Sequence, residues 1–249
     1  MPRASREKTR PSVFWPLAAI AAPLIALMFK LEIEGAEKLP REGAYVLAPN
    51  HYSEADPLAV ALAVWKAGRA PRFMAKESLF RVPVLGWVLK TTGMVPVARS
   101  SSAASARQTL ETSETLVRLG RGVIVYPEGT LTREPDLWPM RGKTGAVRLA
   151  LADGIPVIPM AQWGVQQVMP RYGKLKLWPL RRRVKVLFGD PVDLSAFRVP
   201  GQPANLAGAT DTVMAAVAQL LAELRGEPAP AARWNPADHG QKETGRLEP

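Results

Sequence analysis

The residues best suited to chemistry lie in one stretch, Ala48-Pro49-Asn50-His51-Tyr52-Ser53-Glu54-Ala55-Asp56-Pro57-Leu58. The chain has two histidines, and the other, His239, sits in a Pro/Ala-rich tail. Proton transfer by an imidazole near neutral pH therefore falls to His51. Upstream, Ala44 to Ala48 is an apolar run that reads as a buried strand. Downstream, Pro57 to Trp65 is Ala/Leu/Val-rich and reads as a helix. His51 thus sits where a strand ends and a helix begins, the edge at which open α/β sheets bind ligands. Asp56, in the first helical turn, can fold back toward the imidazole. It would accept from Nδ1–H and leave Nε2 free to take a proton from a substrate hydroxyl. Spacing alone equally allows a helix start capped by Ser53 or Asn50, with Asp56 on the helix dipole and His51 incidental.

Three further stretches bear on that choice. Gly93-Met94-Val95-Pro96-Val97-Ala98-Arg99-Ser100 is a strand ending on an arginine. A guanidinium there suits bidentate phosphate binding, or is a solvated surface group. In Tyr126-Pro127-Glu128-Gly129-Thr130-Leu131-Thr132-Arg133 a buried strand ends in an acid, a glycine and a hydroxyl. Gly129 permits a tight turn with close backbone approach. Glu128 can accept from a substrate hydroxyl or hold an arginine. Gly154-Ile155-Pro156-Val157-Ile158-Pro159 brackets a short strand between prolines and reads as structural. Lys76, at another strand end, is a weaker anion-binding candidate.

The elements that must position these groups alternate along the chain. Strands are expected at Leu31–Glu34, Ala44–Ala48, Arg72–Ala75, Met94–Val97, Val123–Tyr126, Val157–Met160 and Val184–Phe188. Helices are expected at Pro57–Trp65, Pro83–Lys90, Ala104–Leu119, Lys143–Ala152 and Asp211–Arg225. This alternation predicts an α/β fold, a mainly parallel central sheet flanked by helices. Residues 31–226 form that domain and 227–249, rich in Pro, Ala and mixed charge, read as a disordered tail.

Residues 1–30 read as a separate unit, a basic arm followed by an apolar membrane-associated helical segment. Arg3, Arg6, Lys8 and Arg10 precede an uncharged run from Val13 to Phe29. A span needs ~20 apolar residues, and Pro16 and Pro23 interrupt this one. A helix or helical hairpin buried in one leaflet fits better than a crossing, a signal peptide or an ordinary core helix. The expected location is the cytoplasmic face of the membrane, monotopic or with a single N-terminal anchor.

Composition narrows the function. The 249 residues include no cysteine, which excludes disulfides, thiolate metal sites and a cysteine acyl-enzyme. With two scattered histidines no metal site is expected. A net charge of +11 points to anionic partners. The segment Arg171 to Lys185 mixes Tyr172, Lys174, Lys176, Trp178 and Arg181-Arg182-Arg183, so it can rest on anionic headgroups, bind the phosphates of a donor, or be a solvated loop.

Taken in order and spacing, the four stretches resemble the lysophospholipid/glycerolphosphate acyltransferase family over about Leu31 to Leu194, most closely the bacterial 1-acylglycerol-3-phosphate acyltransferases. Asn50 to Asp56 matches its Asn-His-x-Ser-x-x-Asp block, Gly93 to Arg99 its glycine-to-arginine block, Pro127 to Thr130 its Pro-Glu-Gly-Thr block and Ile155 to Pro159 its proline-bracketed strand. One position departs: the family commonly has arginine directly after Glu-Gly-Thr, and here it is Leu131, with Arg133 the candidate replacement. The resemblance implies acyl transfer from acyl-CoA or acyl carrier protein to the free hydroxyl of lysophosphatidic acid, giving phosphatidic acid. His51 would be the base, Asp56 its orienting partner and Arg99 the phosphate ligand. Glu128, Gly129 and Thr130 would shape the glycerol site. No cofactor is implied beyond the donor itself. The partners are membrane phospholipid, a lysophospholipid acceptor and the acyl donor, with no nucleic acid. The competing readings are transfer to another lysolipid, a lipid hydrolase using the same dyad or Ser53, and a non-enzymatic membrane-binding module. The hydrolase reading lacks a Gly-x-Ser-x-Gly elbow.

Overall fold

Period-two patterning in the strands dictates the layering. In β2 (Tyr45–Pro49), Tyr45 and Leu47 point to one face and Val46 and Ala48 to the other, and all four are buried. A strand buried on both faces needs cover on both sides. The computed structural model supplies it and describes residues 12–97, 103–198, 201–243 and 245. On the Tyr45/Leu47 face lie α1 (Phe14–Met28) and α2 (Asp56–Lys66), packing Ile25, Ala59, Val60 and Ala63 on the sheet. On the Val46/Ala48 face lie α5 (Gly145–Asp153) and α6 (Leu206–Arg225), contributing Ala146, Val147, Ala150, Ala209 and Val213.

The remaining elements are β1 (Phe29–Glu34), β3 (Met74–Lys76), α3 (Leu85–Thr91), β4 (Val95–Val97), α4 (Ala103–Leu119), β5 (Gly122–Ile124), β6 (Val157–Trp163) and β7 (Arg182–Phe188). The central sheet runs β1-β7-β6-β2-β5. All neighbours are parallel except β6 and β7. A small parallel pair, β3 and β4, continues from β5 through a parallel bridge between Phe73 and Ile124. The expected α/β architecture is thus the observed one. Every expected strand and helix falls on an element, with ends shifted by a few residues.

The antiparallel step between β6 and β7 has a consequence for the site. It puts the start of β7 beside the end of β6, in register Trp163↔Lys185. Because β1 runs parallel to β7 from Phe29↔Arg182, β1 also begins at that edge. The carboxyl ends of β2, β5 and β6, the end of α1 and the segment before β7 therefore share one edge of the sheet.

Helix α1 continues through Pro23, and Pro16 falls in its first turn, where a missing N–H costs nothing. At 15 residues it spans about 22 Å. No helix among the described residues is long and apolar enough to cross a membrane. One side of α1 packs on the domain, with Phe14 and Ile25 buried and Trp15 edge-on to Trp65. Ile20, Leu24 and Leu27 face outward.

The described part of the tail differs from the expected disorder. Pro228 to Trp234 fold back over Ala215, Ala218 and Ala222 of α6. Arg233 pairs with Asp211 at 2.8 Å, the Arg141 N–H donates to the Trp234 carbonyl at 2.8 Å, and Trp234 stacks on His239. One arginine and one backbone carbonyl find partners on the domain and two aromatic rings of the tail stack on each other, which average polarity does not register.

Candidate active site

The chain leaves β2 at Pro49 and cannot go straight into α2, because its next residues are tied elsewhere. Asn50 extends the β2–β6 pairing with its side chain. Its Oδ1 accepts from the Gln162 N–H at 2.9 Å and its Nδ2 donates to the Gln162 carbonyl at 3.2 Å. Tyr52 is fully buried and its hydroxyl accepts from the Val165 N–H at 3.3 Å. His51, between these anchors, is turned toward a cleft of about 660 Å³ lined also by Glu54, Pro57, Gly129, Thr130, Leu131 and Tyr172.

The dyad read from the sequence is formed. His51 Nδ1 lies 3.0 Å from Asp56 Oδ2. The same oxygen accepts the backbone N–H groups of Tyr52 at 2.7 Å and Ser53 at 2.8 Å. Asp56 is thus both the helix-start acceptor of the alternative reading and the partner of the imidazole. An oxygen already receiving two N–H groups accepts rather than donates, so Nδ1 carries the proton and the lone pair falls on Nε2. Nε2 has no hydrogen bond among the described residues. Burial pushes the Asp56 carboxyl up, opposed by its hydrogen bond with His51 and by the two backbone N–H groups.

Glu128 does something other than the expected contact with a substrate. It is buried, and both oxygens are spent on backbone. Oε1 accepts the His51 N–H at 2.9 Å and Oε2 the Met140 N–H at 3.1 Å. The His51 carbonyl in turn accepts from the Thr132 N–H at 2.7 Å. The Glu128–Thr132 segment therefore grips His51 by both its main-chain groups. Burial pushes the Glu128 carboxyl up to about 8, with the two N–H donors pulling the other way.

Gly129 takes the left-handed conformation at φ 70°, and with Thr130 it reaches the cleft as expected. Lys76 ends β3, exposed, and does not line the cleft. Arg99 lies outside the described residues. Leu131 is buried in the cleft wall where the resembled family has arginine. Arg133 is buried too, and its Nη2 donates to the carbonyl of Gly245 at 3.2 Å. That carbonyl also accepts from the Thr130 hydroxyl at 3.3 Å, so Gly245 sits in the cleft. Ser53 is fully buried and its Oγ donates to the Met169 carbonyl at 2.6 Å, which removes it as a nucleophile. No group of three or more His, Cys, Asp or Glu suited to a metal occurs among the described residues.

Several contributors carry no chemical signal in the sequence. The Tyr126 ring stacks on His51 with centroids 3.9 Å apart, fixing the plane of the imidazole. Burial pushes its phenol well up, so it stays neutral. Arg171 spans Thr132 and Glu134, donating to both carbonyls at 2.7 Å and bracing the strip that holds His51. Tyr126 stands one residue before Pro127-Glu128 and was legible as the strand's end; Arg171 had no such cue.

Comparison with known proteins adds the following. Residues 30–163 match the family described as Acyltransferase. The chain is 32% identical over 143 residues to a chloroplast 1-acyl-sn-glycerol-3-phosphate acyltransferase of Brassica napus, covering 57% of this chain and 40% of that one. It is 28% identical over 143 residues to the 1-acyl-sn-glycerol-3-phosphate acyltransferase of Borreliella burgdorferi, covering 57% of this chain and 55% of the relative. The chain thus spans about half or less of the length of these relatives. The crystal structure of the 1-acyl-sn-glycerophosphate acyltransferase PlsC from Thermotoga maritima superposes with a TM-score of 0.65 at 24% identity, covering 94% of this chain and 86% of that one. That likeness is one of fold.

Proposed function

The chain belongs to the acyltransferase family, and on that footing we propose that it transfers a fatty acyl group to the free hydroxyl of lysophosphatidic acid, giving phosphatidic acid in phospholipid synthesis. The donor is a thioester, acyl-CoA or acyl carrier protein. The observation that carries the reading is the imidazole itself, with Nδ1 held by buried Asp56 and the ring lining an open cleft. In that arrangement Nε2 takes the proton of the acceptor hydroxyl as its oxygen attacks the thioester carbonyl carbon. The tetrahedral species collapses with cleavage of the C–S bond. The departing thiolate recovers the proton from His51, so the enzyme ends as it began. No side chain need be acylated, in keeping with a chain that has no cysteine.

The remaining roles are read from the site geometry, except those of Arg99 and the basic arm, which lie outside the described residues and rest on the sequence and its resemblance. Asp56 fixes the tautomer. Glu128 and Tyr126 hold His51 by its backbone and its ring face. Gly129 and Thr130 shape the glycerol pocket, and Arg99 binds the acceptor phosphate. The arm and helix of residues 1–30 hold the protein at the cytoplasmic face of the membrane, with the outward Ile20, Leu24 and Leu27 in one leaflet.

The test is transfer itself. The full chain is incubated with labelled acyl-CoA or acyl carrier protein and a panel of acceptors: lysophosphatidic acid, other lysolipids, monoacylglycerol and none. Labelled phosphatidic acid is expected. Label released only as free fatty acid would assign a hydrolase, and product on other lysolipids alone would change the acceptor.

A further inference from the structure

Eight consecutive residues, Lys174 to Arg181, are exposed. They include Leu175, Leu177, Leu180 and Trp178, the last 81% accessible. A run with this much apolar surface facing water is unusual for a folded domain and marks an interaction site. It is not a loose loop. The Lys176 N–H donates to the Val168 carbonyl at 2.7 Å, the Arg181 N–H to the Leu27 carbonyl at 2.9 Å, and Arg182 Nη2 to the Trp178 carbonyl at 2.7 Å. Tyr172 and Arg181, near its two ends, are held in the left-handed region at φ 56° and 57°.

Its place in the fold is informative. It precedes β7, so it emerges at the sheet edge that carries His51. Its near neighbours Tyr172 and Gly173 line the catalytic cleft. Its far end bonds to Leu27, the residue that closes the outward row of α1, where Leu24 is 60% exposed. Apolar side chains alternate here with Lys174, Lys176 and Arg181, none of which has an ion-pair partner among the described residues. A free phosphate-bearing ligand would call for cations converging on a cavity. These are strung along an outer surface, interleaved with leucines and a tryptophan, and none of the eight lines the cleft.

We infer that Lys174–Arg181 is a second membrane contact, seated in the headgroup layer of an anionic bilayer beside the mouth of the cleft. Lys174, Lys176 and Arg181 meet anionic headgroups. Trp178 takes the interfacial position for which an indole is suited, and the leucines enter the upper acyl region. Together with α1 it fixes two sides of the cleft mouth against the lipid. An acceptor hydroxyl can then reach His51 without its acyl chain leaving the bilayer. That last consequence rests on the lysolipid reading; the membrane contact does not.

The experiment is co-sedimentation of the full chain with phosphatidylcholine vesicles, with and without phosphatidylglycerol. The paired variant Lys174→Gln/Lys176→Gln should bind phosphatidylglycerol vesicles about thirtyfold more weakly than the unaltered protein and differ little on phosphatidylcholine alone. Trp178→Ser should weaken binding to both. Circular dichroism melts should be unchanged, since these side chains touch no core. Binding by both variants equal to that of the unaltered protein would overturn the inference. So would unchanged vesicle binding with a raised KM for acyl-CoA, which would assign the cations to the donor. A catalytically inactive protein gives the same readout, so failure of the proposed reaction cannot be mistaken for failure of this one.

Discussion

Glu128 shows how a single residue can matter without touching substrate. Its two oxygens satisfy two backbone N–H groups, at His51 and Met140. Glu128→Gln keeps the shape, but where the hydroxyl oxygen of a protonated carboxyl keeps a lone pair for an incoming N–H, the amide nitrogen has none, so one of those buried donors faces another donor. The expected cost is about 1–3 kcal/mol of stability, together with a fall in turnover as His51 shifts, read by denaturant unfolding and steady-state kinetics. The acid also sets a pH dependence. Its folded pKa, about 8, lies above the ordinary value of 4.5, so the folded state holds a proton the unfolded state has lost. Its stabilising contribution is fully present below pH 4.5 and is lost as pH rises through about 8. Asp56 contributes in the same sense and is common to both proteins. Unfolding curves at pH 5 and pH 8 should therefore show a smaller loss of stability for Glu128→Gln than for the unaltered protein. An equal loss would mean Glu128 is ionised throughout. At this scale the dyad was legible because the Asn-His-x-Ser-x-x-Asp block stands in order with the other three stretches; the spacing of His51 and Asp56 alone left it level with a helix cap. The use of Glu128 was not, since a carboxylate that binds backbone and one that binds substrate look alike in one dimension.

Elements were read well wherever apolar runs were long, as in β2, β6 and α6. What the pattern could not reveal was direction. The reversal between β6 and β7 depends on a 3-10 turn at Val165–Gln167 and a long irregular segment, neither of which has a periodic signature. That reversal gathers α1 and the basic segment to the edge of the dyad. Arg69 is a second feature invisible to periodicity. It is buried against the Tyr45 ring and donates to the carbonyls of Pro40 at 2.6 Å and of Gly43 and Gly120 at 2.9 Å each. One guanidinium thus pins the loops entering β2 and β5 to the end of α2. Arg69→Met should fill similar space yet strand these carbonyls. A loss of about 3 kcal/mol is expected by chemical denaturation, with KM for both substrates unchanged in the fraction that stays folded. A loss under half of that would show that water replaces the guanidinium.

For the whole molecule, the net charge of +11 and the outward apolar residues of α1 and of Lys174–Arg181 are complementary to an anionic lipid surface, the contact proposed above. The tail adds a constraint on the cleft. Glu243 lies 3.9 Å from Lys143, and Gly245 occupies Thr130 and Arg133 with a neutral carbonyl. An acceptor phosphate using those donors must first displace it. Ending the chain after Gln241 keeps the bond between Gln241 and Trp234 and removes the competitor. KM for lysophosphatidic acid should fall by roughly tenfold, the worth of one charge-assisted hydrogen bond, with kcat little changed. An unaltered KM would place the acceptor elsewhere. Neither the docking of the tail nor its reach into the cleft was readable from a Pro- and Ala-rich composition, because the docking depends on Asp211 and Arg141 and the reach on Thr130 and Arg133, more than 100 positions away.

The central claim, that His51 is the base for acyl transfer, is tested most directly by His51→Ala. The variant loses the stacking on Tyr126 and one of three donors to Asp56, so it should melt below the unaltered protein yet still fold at the assay temperature, which circular dichroism checks. Single-turnover transfer of labelled acyl groups to lysophosphatidic acid should fall by at least about 10²-fold, the lower end of what a positioned base contributes. Formation of phosphatidic acid at close to the unaltered rate by the folded variant would contradict the account.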